Sequence, residues 1–133
     1  QLDFPCTLDL TAAPDHITGD RRLLASALDI VLRNAKKYAR SRIIITVRIT
    51  ARSVADQVEI VIDDDGPGIP EAEREHIFEP FYRLDRSRDR ATGGFGLGLA
   101  IAQRALALHG GSIRADSSPL DGARFTITLP ASA

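Results

Sequence analysis

The sequence predicts a single α/β domain in which most strands pair as hairpins and two long helices pack against them. Five stretches alternate with the period of a strand: 2–11, 41–51, 57–62, 112–117 and 122–129. Two more, 20–38 and 97–109, repeat apolar residues at helical steps of three and four. The size agrees, since 133 residues with 44% hydrophobic content suit one compact core. There are no internal repeats and no low-complexity tract.

Seventeen basic against eighteen acidic residues leave a formal net charge of −1. No global field favours nucleic acid or an anionic membrane, so any phosphate recognition must be local. The one cysteine, Cys6, excludes an intrachain disulfide and suits a reducing compartment. No apolar run approaches the ~20 residues that span a bilayer, and no secretory signal opens the chain. With no initiator methionine and structure from the first residues, 1–133 is expected to be one domain excised from a longer protein.

In order, Leu2, Phe4, Cys6, Leu8 and Leu10 alternate as a half-buried strand, which Pro5 confines to an edge or delays. Ala13-Pro14-Asp15 reads as a turn, and His16-Ile17-Thr18 as a short strand with His16 at the surface. Asp20 is the expected N-cap of a helix to about Tyr38, with Leu24, Leu28, Val31, Leu32 and Ala35 as its core stripe. A second stripe carries Ile30, Asn34, Lys37 and Tyr38. Asn34 is a poor helix former at mid-helix. Its carbonyl is suited to Mg²⁺, Lys37 to a phosphate, and Tyr38 to a sugar or base. An ordinary amphipathic helix with a polar edge also fits.

Ile43, Ile45, Val47 and Ile49 oppose Ile44, Thr46, Arg48 and Thr50 along the next strand, and a loop over 52–56 returns the chain as an antiparallel hairpin. On the returning strand Val58, Ile60 and Ile62 share a face, and the next residue on it is Asp64. A carboxylate continuing an apolar row is expected to point inward, where it needs a hydrogen-bonding partner. In Asp63-Asp64-Asp65-Gly66-Pro67-Gly68-Ile69-Pro70 the glycines let a flat ligand approach the backbone. Asp64 is thus a candidate acceptor for a ligand amine such as that of adenine; a solvated Asp-Gly, Pro-Gly turn is the alternative.

Pro70 with Glu71, Glu73 and Glu75 starts a short helix ending near Ile77-Phe78, with His76 at the surface. From Glu79 to Gly94 no period emerges. The arginines of this loop suit a lid over phosphates, Arg83 above all, with Phe78, Phe81 and Tyr82 as anchors beside it; a solvated charge run is the other reading. Gly94-Phe95-Gly96-Leu97-Gly98-Leu99 opens a helix to about His109, with Leu97, Ile101, Ala105 and Leu108 as its apolar stripe. Glycines feeding a helix start offer an anion site. Neither a P-loop nor the dinucleotide fingerprint is present. Phe125, Ile127 and Leu129 line one face of the closing hairpin.

Asn34-Ala35 on a helix, Asp64-x-Gly66-x-Gly68, the Phe78–Tyr82 cluster and Gly94-x-Gly96-x-Gly98 follow one another in fixed order. That order resembles the N, G1, F and G2 boxes of the catalytic ATP-binding domain of sensor histidine kinases, in the ATPase group that includes gyrase, heat-shock chaperones and mismatch-repair proteins. The resemblance spans about Leu8 to Leu129. It implies a two-layer α/β sandwich, a mixed and mostly antiparallel sheet covered on one face by helices, with an ATP lid. It implies a protein histidine kinase of a two-component phosphorelay, a transferase that binds ATP and Mg²⁺ and passes the γ-phosphoryl group to a histidine on a separate dimerisation domain. The implied nucleotide-binding residues are Asn34, Lys37, Tyr38, Asp64, Gly66, Gly68, Ile69, Arg83, Gly94, Phe95, Gly96, Leu97 and Gly98. Among them Asn34 is the metal ligand, and Asn34, Lys37 and Arg83 carry catalysis. The implied partners are the protein's own dimerisation domain and a response regulator, with no nucleic acid. The implied setting is the cytoplasmic part of a membrane-anchored homodimeric sensor in the inner membrane.

Two departures stand out. The residue one turn before Asn34 is commonly polar in the family, and here it is Ile30, which neither ligates metal nor acts as a base. Asp29 lies about 100° away around the helix. Hydrolysis of ATP by water is therefore expected to be weak, whereas transfer to imidazole leans on positioning and charge stabilisation. Nor do His16, His76 and His109 sit in a phospho-acceptor context. Two alternatives remain: another ATPase or serine kinase of the same fold group, and a degenerate nucleotide-binding module that regulates a partner.

Overall fold

The computed structural model describes residues 6–12, 19–50, 56–82 and 97–130, with side chains from Gly19 onward except that of Thr50. Helix α1 (Arg21–Tyr38) starts where the capping signal puts it. The Asp20 carboxylate accepts from the Arg22 and Leu23 amides at 3.0 and 3.2 Å, satisfying two donors that a helix start leaves over. Nothing in the structure explains why Arg21 and Arg22 occupy that first turn against the dipole. Leu24, Ala27, Val31 and Ala35 are its buried face, with Leu28 and Leu32 half-buried beside them.

Strands β1 (Cys6–Ala12), β2 (Ile43–Thr50), β3 (Gln57–Asp64), β4 (Ser112–Ser117) and β5 (Ala123–Pro130) form one sheet in the order β1-β2-β3-β5-β4. The edge strand β1 runs parallel to β2, and every other pair is antiparallel. β1 is described from Cys6 onward, and the expected strand residues Leu2 and Phe4, with Pro5, lie outside the described residues. Register places Val58, Ile60 and Ile62 opposite Leu129, Ile127 and Phe125. These six side chains are buried on one face, each contributing about 1.5–3 kcal/mol of apolar burial. Helix α1 packs on β3 and on α2 (Gly98–Leu108), which in turn packs on β4. The mixed sheet with helices on one face is the predicted architecture.

The other face carries ion pairs. Arg124 holds both oxygens of Asp63 at 2.8 and 3.1 Å, and Arg48 reaches Glu59 at 3.0 Å. The arginines shield Asp63 and Glu59 from water, so β3 is buried on both sides despite its alternating sequence.

Three expectations need correction. The apolar stripe of α2 is Ala102, Ala105 and Leu106, whereas Leu97, Ile101 and Leu108 are 38%, 53% and 61% exposed. Apolar residues surround this helix, so periodicity alone fits more than one face. Two alanines stand on that inward face beside Leu106, and α1 lies close at the helix start: Ile30 Cγ2 is 3.2 Å from where a Gly98 Cβ would stand. The helix expected after Pro70 is two separate 3₁₀ turns, Glu71–Glu73 and His76–Phe78. Of the three aromatic anchors, Phe78 meets Phe125 edge-on at 6.3 Å and Tyr82 packs on the core. Phe81 is 71% exposed in a left-handed conformation, φ 69°, and is not part of the core among the described residues.

His76 is at the surface as expected, paired with Glu79 at 2.8 Å and stacked on Tyr82. His109 caps α2 but reaches further. Its Nδ1 donates to the Ala105 carbonyl at 2.8 Å, and its Nε2 accepts from the Asp20 amide at 2.8 Å. A neutral ring protonated on Nδ1 satisfies both partners and ties the end of α2 to the start of α1. The expected turn and short strand at 13–18, the loop at 52–55 and the lid at 83–96 lie outside the described residues.

Candidate nucleotide-binding site

β3 delivers Asp64 to the edge of the core, 1% exposed, on the face shared by Val58, Ile60 and Ile62. Two backbone amides meet its Oδ1: Gly66 at 2.9 Å, in a local turn, and Ala123 at 3.1 Å, from the start of β5. Among the described residues no group donates to Oδ2. Burial pushes the Asp64 carboxyl above its usual range, the two amide bonds oppose that rise, and the charges of Asp65 and Asp63 add to it. The carboxylate is thus fixed by one oxygen, and the other is suited to a ligand's donor.

Gly66 lies against the last residue of α1, where a Cβ would overlap the Tyr38 carbonyl oxygen. Gly68 takes φ +76°, a conformation that costs residues with a Cβ. Ile69 follows, half-buried on the core. A recess of about 390 Å³ opens between Pro67–Pro70 and Arg74 on one side and Ser117, Ser118, Asp121 and Gly122 on the other. It borders the Asp64 loop but includes neither Asn34 nor Lys37.

Asn34 and Ile30 share one side of α1, and Ile30 lies against Gly98, so that side looks toward the start of α2. Asn34 is half-buried there. Lys37 places its ammonium 5.1 Å from the centre of the Tyr38 ring, a cation–π distance. The structure thus brings the loop 64–69 against the end of α1 through Gly66 and Tyr38, and sets Ile30, one turn before Asn34, against Gly98. Leu97 precedes α2, more than one-third exposed. Arg83, Gly94, Phe95 and Gly96 lie outside the described residues.

Among the described residues no three or more His, Cys, Asp or Glu side chains are placed to hold a metal. A lone amide oxygen at Asn34 fits Mg²⁺ that keeps its waters and binds mainly through ligand phosphates. It does not fit a metal held by the protein alone.

Two participants escaped sequence reading. Gly122 packs so tightly on the acid that a Cβ there would overlap the Asp64 carbonyl, Asp64 Oδ1 and the Gly66 amide nitrogen. Ala123 supplies the second amide. Asp121-Gly122, with Asp121 at φ 76°, is a turn signal visible in the sequence, but nothing local tells that this turn folds back onto β3.

A mixed sheet of this order, with paired helices on one face and an acid–glycine loop leaving a central strand, is the fold of histidine kinase catalytic domains. The chain belongs to the family described as "Histidine kinase-, DNA gyrase B-, and HSP90-like ATPase", whose model matches residues 19–133. It is 41% identical over 130 residues to sensor histidine kinase CpxA of Escherichia coli (strain K12), covering 98% of this chain and 28% of that protein. It spans little more than a quarter of the length of this curated relative. Among solved structures, the mycobacterial sensor histidine kinase MprB superposes with a TM-score of 0.75 at 34% identity, covering 96% of this chain and 83% of that one. Full-length ShkA in complex with AMPPNP superposes at 0.78 with 28% identity, covering 98% and 26%.

Proposed function

We propose that this domain binds Mg-ATP and donates its γ-phosphoryl group to a histidine on a separate dimerisation domain, as the catalytic part of a two-component sensor histidine kinase. The observation that carries this reading is Asp64, buried at a strand end with both amide bonds on one oxygen, which leaves the other to accept the adenine amine. Gly66, Gly68 and Ile69 then flank the base, and Tyr38 packs on the nucleoside. Asn34 ligates Mg²⁺, while Lys37 and Arg83 contact phosphates. Gly94, Phe95, Gly96, Leu97 and Gly98 form the hinge of the lid and the helix start that faces the phosphates. The side of α1 that carries Asn34 looks toward that start, which supports the placement.

The chemistry needs little beyond this. Phosphoryl transfer is accelerated by positioning and by charge placed against the phosphoryl oxygens. A histidine acceptor needs less base assistance than water, so Ile30, which supplies no base, fits transfer better than hydrolysis. In the whole protein the partners are its own dimerisation domain, forming a membrane-anchored homodimer of the inner membrane with this domain in the cytoplasm, and a response regulator. Mixing this chain with a dimerisation domain from the same protein, Mg²⁺ and γ-labelled ATP tests the proposal. Acid-labile, base-stable label on the acceptor is expected; none above background would leave a nucleotide-binding regulator as the better reading.

A further inference from the structure

Asp65, beside the buried acid, holds another part of the chain. Its Oδ1 accepts from three consecutive backbone amides, Arg40 at 2.9 Å, Ser41 at 3.0 Å and Arg42 at 3.1 Å. Its Oδ2 accepts from the Ser41 hydroxyl at 2.5 Å and lies 3.2 Å from the Ser41 amide. Those amides come directly after α1. The chain turns extended at Ala39, ψ 145°, and so presents N–H groups where a helix end otherwise offers carbonyls.

Residues 64–66 therefore join three elements. Asp64 holds the start of β5 through Ala123, Asp65 holds the segment after α1, and Gly66 touches the Tyr38 carbonyl. A carboxylate suits the middle position because it accepts several bonds on each oxygen, whereas an amide offers one acceptor oxygen.

We infer that Asp65 is a positioning residue for the nucleotide, fixing the last turn of α1, with Lys37 and Tyr38, against the adenine-accepting Asp64. The inference rests on the nucleotide reading above. The Ser41 hydroxyl, followed by the three amides, holds the Asp65 carboxyl well below the usual carboxylate range. The clamp therefore stays charged across the pH range of nucleotide-binding experiments.

A purely structural staple and a positioning residue part company when affinity is measured on folded protein. ADP binding to this chain is titrated calorimetrically for wild type, Asp65→Ala, Asp65→Asn and Asp64→Asn, at a temperature where circular dichroism shows each variant folded. Asp65→Ala is expected to bind about tenfold more weakly, and Asp65→Asn about threefold, its one remaining acceptor oxygen giving partial rescue. If Asp65→Ala does not fold, Asp65→Asn alone decides. Wild-type affinity in the Asp65 variants, with affinity lost in Asp64→Asn, overturns the positioning role and leaves the adenine site standing. No binding by wild type overturns both.

Discussion

Gly122 and Asp64 are in contact along backbone and side chain alike: the hairpin between β4 and β5 comes down so closely that a single methyl on Gly122 would overlap both the Asp64 carbonyl and its Oδ1. The acid is thus held by a residue 58 positions later that contributes no functional group, only space (122 − 64 = 58).

Gly122→Ala is therefore expected to lift the start of β5 away from β3 and break the Ala123 bond to Asp64. Overpacking at such a contact costs about 1–3 kcal/mol. Urea unfolding checks the stability, and ADP titration of the folded variant checks the site. A variant as stable as wild type would show that the hairpin yields without strain.

The two neighbouring acids should respond to pH with opposite sign. Asp64 has its pKa raised by burial, so its ionised form costs stability at neutral pH, and that cost fades as pH falls through the raised value toward the ordinary carboxylate value. Asp64→Asn keeps an oxygen for both amides, so the nucleotide-free variant is expected to melt above wild type near neutral pH, with the gap closing on acidification. Asp65 has its pKa lowered, so its contribution is present above the ordinary carboxylate value of about 4 and is lost as pH falls below it. Wild type should exceed Asp65→Asn in stability at neutral pH and lose that advantage in acid. Melting curves across pH report both signs, and a gap moving the other way for either acid contradicts the assignment.

His109→Leu removes a donor to Ala105 and the acceptor for the Asp20 amide. The expected loss is about 1–3 kcal/mol, read by chemical denaturation. Amide hydrogen exchange should rise at Asp20. Unchanged exchange there would show that the ring does not tie the two helices.

Ile30→Asn exchanges an apolar contact on Gly98 for an amide one turn before Asn34. Stability is expected to fall by about 1–2 kcal/mol, while the Mg²⁺ dependence of ATP binding becomes stronger. Titrating Mg²⁺ at fixed ATP measures the second effect. No change in Mg²⁺ dependence would place this side of α1 away from the metal.

Much of this was legible in the sequence because the signals are local. Alternation gave the strands, Asp20 gave the start of α1, and the row Val58-Ile60-Ile62-Asp64 told that the acid points inward. What was missed is set by tertiary contact. Apolar residues on most sides of α2 left its buried face undetermined until tertiary packing chose the one with Ala102, Ala105 and Leu106. Phe81 looked like an anchor by residue type, yet its left-handed backbone turns it out to solvent. Asp65 and Gly122 look like ordinary turn residues, and their partners at 40–42 and at Asp64 lie far away in the chain.

The measurement closest to the central claim is equilibrium binding of Mg-ATP to this chain and to Asp64→Asn. Saturable binding to wild type is expected, weakened in the variant by about 1–3 kcal/mol as the acceptor for the adenine amine is lost. Equal affinities would mean that adenine does not rest on Asp64, and the account of the site would be wrong.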